Sequence, residues 1–379
     1  VNITFKDKKL MKTAGDLLHN QYLPQTVSHP GETLREKLEE LKMGPKEFAV
    51  RTGKPEKTIS EVLNGNSAIT PDMAVQFENV LKIPARFWLQ RQYHYDEALA
   101  RHKQEQEIEQ ATAWAKAFPY AQMTQFGWVP PAKSVPEKVR ALFDFFGIAV
   151  ADAWEDFFLH AKLKTTFRIS LTPTKTPHAL SAWLRRGEIQ AGQIQAPSFD
   201  EKKLKAALPR LKRLMAENPA DFFQQAQVLC LQAGVKVVVT PNLPKAPISG
   251  AARWVHDNPL IQLSNRYQRH DSFWFSFFHE LGHILLHGKK DVFLEDIEYS
   301  DKDKQKEQEA DDFAVQWTLP VEQEAILREA LPLSDSAIEQ FARLWGTHPG
   351  ILVGRLHYRG LVPHARLTRW IERMELSVD

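Results

Sequence analysis

Asp271-Ser272-Phe273-Trp274-Phe275-Ser276-Phe277-Phe278-His279-Glu280-Leu281-Gly282-His283-Ile284-Leu285-Leu286-His287-Gly288 is the stretch around which the rest of the chain falls into place. Asp271 is a good N-cap and Gly288 suits the position just past a helix end, so the segment predicts one helix of about four turns. Large hydrophobes fall on every side of it, which predicts burial. His279 and His283 are four residues apart, hence one turn apart on one face. Two imidazoles at that spacing can hold a single zinc ion, and Glu280, three residues before His283, can reach a water beside it.

The same pentapeptide also arises by chance. Against chance stands Glu280 itself, because a carboxylate buried in an aromatic helix without a partner costs on the order of several kcal/mol. A metal site with an adjacent water gives that acid a reason. His287 follows by one more turn, but it lies about 12 Å along the axis from His279, too far for metal–nitrogen bonds near about 2 Å. It is expected to support the helix C-terminus. A two-histidine site needs a third protein ligand and an open position. The helix expected over 304–319 carries Ala310, Phe313, Ala314 and Trp317 as an inward stripe, with Glu307 and Glu309 both flanking it. Periodicity leaves the choice between those two acids open.

Working outward, Val235 to Thr240 reads as a β-branched strand after Gly234, and Leu260 to Leu263 as another. With the helices around them, residues 216–379 are expected to form an α+β domain. Upstream, 102–215 reads as a mainly helical connector: a polar run from His102 to Gln110, the turn Val129-Pro130-Pro131, and a helix from Pro136 to Phe146. Residues 1–27 form an arm without a clear pattern.

Residues 28–101 read as an all-helical domain. Leu34, Leu38 and Leu41 have helical spacing; Gly44-Pro45 opens a second helix that ends before Gly53; a third is expected from Pro55 to Asn64 and a fourth from Thr70-Pro71 to Leu81. Two short helices across a tight glycine turn are what a helix-turn-helix needs. On the third helix Ile59, Val62 and Leu63 face inward, leaving Lys57, Thr58, Ser60, Glu61 and Asn64 for a DNA groove. Ser, Thr and Asn can bond base edges or phosphates, and Lys57, with Lys46 on the second helix, can neutralise phosphate. Acids and bases nearly balance over 31–101, so one copy should bind DNA weakly and a homodimer reading two half-sites is expected.

The whole chain has 379 residues, 43% hydrophobic and 25% charged, ordinary for two or three globular domains. The net charge of +2 does not itself announce a nucleic-acid binder. Residues 160–213 are nevertheless basic, with Lys162, Lys164, Arg168, Arg185, Arg186, Lys202, Lys203, Lys205, Arg210, Lys212 and Arg213, whereas Glu295 to Asp312 is acidic. The first reading of the basic stretch is a solvated helix face, the second an auxiliary phosphate-contacting surface. One cysteine, Cys230, excludes an internal disulfide and sits in an apolar run, as a buried thiol would. No stretch resembles a cleaved signal or a membrane span, so the expected place is the cytoplasm, without membrane contact.

His29-Pro30-Gly31-Glu32-Thr33-Leu34, Lys57 to Gly65, Ala68-Ile69-Thr70-Pro71 and Ile83 to Trp88 resemble the HigA-type antitoxins of the Xre helix-turn-helix family. That resemblance implies five helices, dimerisation and operator binding by a regulator that represses its own operon and holds a toxin. Gly44-Pro45 departs from the family's Ser-Gln opening of the second helix. In the second half, His279-Glu280-Leu281-Gly282-His283, Glu309-Ala310-Asp311-Asp312-Phe313-Ala314 with Leu319-Pro320, Ser249 to Trp254, Ile261 to Ser264 and His348 to Leu356 resemble the ImmA/IrrE metallopeptidases. This second resemblance implies a zincin-like fold, zinc held by His279, His283 and Glu309, and Glu280 as general base. Arg253, Tyr267, His256 and His348 stand as candidates for stabilising an oxyanion. The combined expectation is a regulator whose zinc endopeptidase cleaves a repressor or antitoxin-type protein. The alternative is a non-proteolytic repressor or antitoxin whose peptidase-like domain is a sensor or toxin-binding platform.

Overall fold

Proline in the first helical turn is tolerated because its missing N–H has no partner there anyway, and Pro30, Pro45 and Pro71 each open a helix. The computed structural model describes residues 3–4, 26–158, 177–244, 248–265, 269–288, 293–294 and 301–374, in two units, Val1–Gln110 and Ala111–Asp379. In the first, α1 (Pro30–Glu40), α2 (Pro45–Thr52), α3 (Glu56–Leu63), α4 (Pro71–Leu81) and α5 (Ala85–Gln110) give the five helices expected. Strands β1 (Ile3–Thr4) and β2 (Thr26–Val27) pair antiparallel; the remainder of the 1–27 arm lies outside the described residues. Gly53, at φ 65°, ends α2 in the left-handed region that glycine enters without penalty, and the chain turns there into α3. The Thr70 hydroxyl accepts from the Met73 N–H and caps α4. Leu34, Phe48, Ile59, Val62, Phe77 and Trp88 are buried together. Phe77 lies 4.9 Å from Phe48 and 5.8 Å from Trp88, ring to ring.

The second unit opens with α6 (Thr112–Lys116), α7 (Tyr120–Gln125), α8 (Val135–Phe146) and α9 (Ala151–Trp154). Helices α10 (Pro177–Gly192), α11 (Glu201–Glu217) and α12 (Phe222–Gln232) follow. The sheet consists of β3 (Lys236–Thr240), β4 (Gly250–Val255), β5 (Asn258–Ser264) and β6 (Phe293–Leu294), in the order β3-β5-β4-β6. β3 runs parallel to β5, which pairs antiparallel with β4, and β4 in turn with β6. Residues 102–215 are divided between the units, since α5 carries 102–110 whereas Leu204, Leu208 and Leu211 of α11 share the sheet's main core. Lys162, Lys164 and Arg168 lie outside the described residues.

Alternation along the strands sorts their side chains into two layers. Val237, Val239, Ala252, Ile261 and Leu263 belong to the main core, which also holds Trp274, Phe277, Phe278 and Leu281 of helix α13 (His270–Leu286). Val238 and Leu260 instead meet Ala191 of α10. The sheet is thus covered by α13 on one face and α10 on the other, which is why its strands are apolar on both faces. Cys230 is buried in the main core and its thiol is pushed up to about 12 by burial. Helices α14 (Asp301–Thr318), α15 (Val321–Glu329), α16 (Asp335–Trp345) and α17 (Pro349–Tyr358) complete the unit. Among the described residues, no helix is long and apolar enough to cross a membrane.

Two details of α13 matter for what it carries. It begins at His270, two residues earlier than an Asp271 cap implies, with Arg269 at the N-cap and no side-chain cap, and Asp271 is engaged by Arg269 at 2.8 Å. Gly288 does take the left-handed conformation, φ 72°, just past the helix end. Midway along, a Cβ on Gly282 would lie 3.2 Å from the Cα of Ala310 in α14. Small residues at that crossing let the two backbones approach closely, and this brings α14's acids within reach of α13's histidines.

Candidate metal centre and nucleic-acid interface

His279 and His283 project from the same face of α13, with Nε2 atoms 2.9 Å apart, and both are buried. The acid that meets them is Glu307: its carboxylate oxygens lie 3.3 Å from His279 Nε2 and 3.6 Å from His283 Nε2. These three residues are the described group able to surround one ion. Ligand atoms about 2.0–2.1 Å from a tetrahedral zinc are about 3.3 Å from one another, so the observed spacings suit such an ion, as does a set of two imidazoles and one carboxylate. Burial lowers the His283 pKa to about 4, outweighing its carboxylate partner, so the ring is neutral and can offer a lone pair. Burial alone would raise Glu307, but hydrogen bonds from His279 and His283 hold it at about 2, ionised.

The structure does not bring Glu309, the third ligand that the resemblance implies, to His279 and His283. Glu307, Ala310, Ala314 and Thr318 form one stripe of α14 at i, i+3, i+7 and i+11, and the last three are buried. Glu309 is two residues on, about 200° further around the helix. Its side chain is 45% exposed, against 20% for Glu307, and its Oε2 lies 3.0 Å from His287 Nε2 rather than beside the other histidines.

Asp311, four residues after Glu307 on the same face, places Oδ1 2.9 Å from His279 Nδ1. A carboxylate there keeps the proton on Nδ1 and leaves Nε2 for an ion, the usual outer support of a ligating histidine. Glu280 is fully buried. A Cβ on Gly250 would come 2.3 Å from its Oε1, so the carboxylate rests against bare backbone of β4.

Three of the four oxyanion candidates lie among the described residues. Arg253 points to the α10 face of the sheet, donating to Leu184 O at 2.8 Å and Gln262 Oε1 at 2.7 Å. Burial brings its pKa down to about 10, against the opposing pull of Glu188 and Glu280. His256 lies in the β4–β5 turn with φ 57°. His348 caps α17, accepting from the Gly350 N–H at 3.1 Å. Tyr267 lies outside the described residues. A cation not considered from sequence, Arg355 of α17, sits 5.6 Å from the Phe275 ring, which is itself 6.4 Å from that of His279.

In the first unit the expected groove residues share one exposed side. Ile59, Val62 and Leu63 are buried, Lys57 and Asn64 are exposed, and Thr58 and Ser60 are half-buried. Lys57 Nζ is 3.9 Å from Glu61 Oε1 with its side chain 86% exposed, so it is only loosely held. Lys46 is exposed on α2, whose N-cap Gly44 makes no side-chain cap.

Comparison with known proteins agrees with this division. The IrrE N-terminal-like domain family of peptidases matches residues 230–357, and the Helix-turn-helix family matches 34–88. An uncharacterized HTH-type transcriptional regulator of Escherichia coli, YddM, is 35% identical over 63 residues, 17% of this chain and 67% of its own length. A solved addiction module antidote protein of the HigA family from Coxiella burnetii is 34% identical, covering 22% of this chain and 92% of that one, at a TM-score of 0.21. The Pseudomonas aeruginosa antitoxin HigA, solved with the higBA promoter, is 29% identical over 22% of this chain and 92% of its own, at a TM-score of 0.21. Through its first unit the chain belongs to the helix-turn-helix transcriptional regulators, and in its second it carries an IrrE N-terminal-like peptidase domain.

Proposed function

We propose that this protein is a DNA-binding regulator whose second unit is a zinc-dependent endopeptidase, cleaving a repressor or antitoxin-type protein and acting at its own operon. The carrying observation is the convergence of His279, His283 and Glu307 beside a fully buried Glu280. A zinc ion bound there would act as a Lewis acid toward a peptide carbonyl and lower the pKa of an attacking water. Glu280 is the residue that would accept a proton from the attacking water as it adds to the carbonyl carbon and return it to the amine nitrogen as the C–N bond breaks. Asp311 holds His279 in the tautomer that presents Nε2 inward.

DNA binding is assigned to α3, with Lys57 on phosphate and Thr58, Ser60 and Asn64 toward base edges, in a homodimer that reads two half-sites. The likeness of the first unit to HigA antitoxins favours a second reading, in which the chain is a repressor that holds a toxin and the peptidase-like unit only senses. Glu280→Gln separates the two. Purified wild-type protein, incubated with the products of adjacent genes, should cleave one of them; the variant should lose at least about 100-fold in rate while binding the same operator with unchanged affinity. Equal cleavage, or identical regulation by both proteins in cells, defeats the peptidase reading.

A further inference from the structure

His287 is the last residue of the turn that follows His283, and its side chain is only 3% exposed. Its Nδ1 lies 3.0 Å from His283 Nδ1, and its Nε2 lies 3.0 Å from Glu309 Oε2. Glu309 Oε1 in turn accepts from Gln305 Nε2 at 2.9 Å. Once His283 gives Nε2 to an ion, these contacts permit one arrangement of protons. A neutral imidazole ligating through Nε2 carries its proton on Nδ1. That proton is donated to His287 Nδ1, which must then be the bare nitrogen. His287 therefore carries its own proton on Nε2 and donates it to the Glu309 carboxylate.

We propose that His287 and Glu309 form a hydrogen-bond relay of fixed direction that positions His283 and strengthens it as a metal ligand. The inference rests on the metal-site reading above. It also accounts for Glu309, which stands outside the ligand group although it follows Glu307 by two residues. The two histidine ligands are then supported differently. His279 meets the Asp311 carboxylate directly, whereas His283 reaches a carboxylate through a second imidazole. α14 supplies both ends, so one helix carries the ligating acid and the two outer acids. His279 is tied to α14 directly through Asp311 and His283 through His287 and Glu309, so both rings are fixed from behind as well as in front.

The test uses the full-length protein, with zinc itself as probe in competition with a chromogenic chelator. His287→Leu removes the acceptor facing His283 and should weaken zinc binding by about 10- to 100-fold, without lowering the melting temperature of the metal-free protein. His287→Gln, whose amide can accept from His283 and donate to Glu309, should recover most of the affinity. Nitrogen-15 spectra of the zinc-loaded wild type should show His287 protonated at Nε2 and bare at Nδ1; this needs no variant. Zinc affinity of His287→Leu within about twofold of wild type, or a proton found on His287 Nδ1, overturns the relay while leaving the metal site standing. A wild-type protein that binds no zinc overturns the metal-site reading, and the relay with it.

Discussion

At the scale of single residues, the two histidines were legible because a four-residue spacing on a helix has one geometric meaning. The acid that meets them was not. Taken as one inward stripe, Ala310, Phe313, Ala314 and Trp317 are flanked by both acids, and only the family resemblance selects Glu309. The centre is the small-residue line of Ala310, Ala314 and Thr318, and Glu307 continues that line while Glu309 leaves it. Small side chains mark where helices touch; large ones reach in from the side. The expected consequence is that Glu307→Gln loses its metal on dialysis, whereas Glu309→Gln, whose amide oxygen still accepts from His287, retains close to one equivalent. Elemental analysis of the two dialysed proteins decides it, and the reverse pattern would restore Glu309 as ligand.

At the scale of elements, α13 and the β-branched strand β3 could be read directly from pattern, and β4 could not. Gly250-Ala251-Ala252 has no β-branched side chain, so it becomes a strand through its partners β5 and β6 rather than through its own preference. The anchoring of α13 was likewise invisible, since its partners are far away in sequence. His270 Nε2 donates to Met215 O at 3.0 Å, and its backbone N–H donates to Glu372 O at 3.1 Å. Its ring lies 4.2 Å from that of His348, which faces Glu372 at 3.6 Å. Burial, then the charge of His348, lowers the His270 pKa from 6.5 to about 3, against the raising effect of its bond to Met215. The unfolded chain therefore binds a proton below about pH 6.5 that the folded chain refuses until near pH 3, and stability must fall as pH drops through that window. The limiting slope for one proton is about 1.4 kcal/mol per pH unit. His270→Gln, which can still donate to Met215, should flatten the decline of unfolding free energy between these limits. Urea titrations at several pH values measure it, and an unaltered slope would remove His270 from the account.

For the whole molecule, the division into a helical unit and a mixed unit was readable from the change of periodicity, while the share of 102–215 between them was not. The sequence of α11 reads as connector with a basic, solvated face, whereas its leucines lie in the sheet's core. The two units have separate hydrophobic clusters, and the residues proposed for DNA lie in the first while those proposed for zinc lie in the second. Lys57→Ala should thus weaken DNA binding across sequences and reduce the salt slope by about one, and Asn64→Ala should reduce discrimination between operator and other DNA by about 1–3 kcal/mol. Both should keep full zinc affinity. Anisotropy titrations over a range of salt, run beside the zinc competition, test this, and unchanged DNA affinity in both variants would take α3 out of the interface. One feature of the second unit couples shape to chemistry more tightly than any single contact. Glu280 leans on naked main chain at Gly250, with no side chain between as a cushion. A shift of that strand by even a few tenths of an ångström must therefore be felt at the Glu280 carboxylate, the group proposed above as the base, by leverage through the main chain.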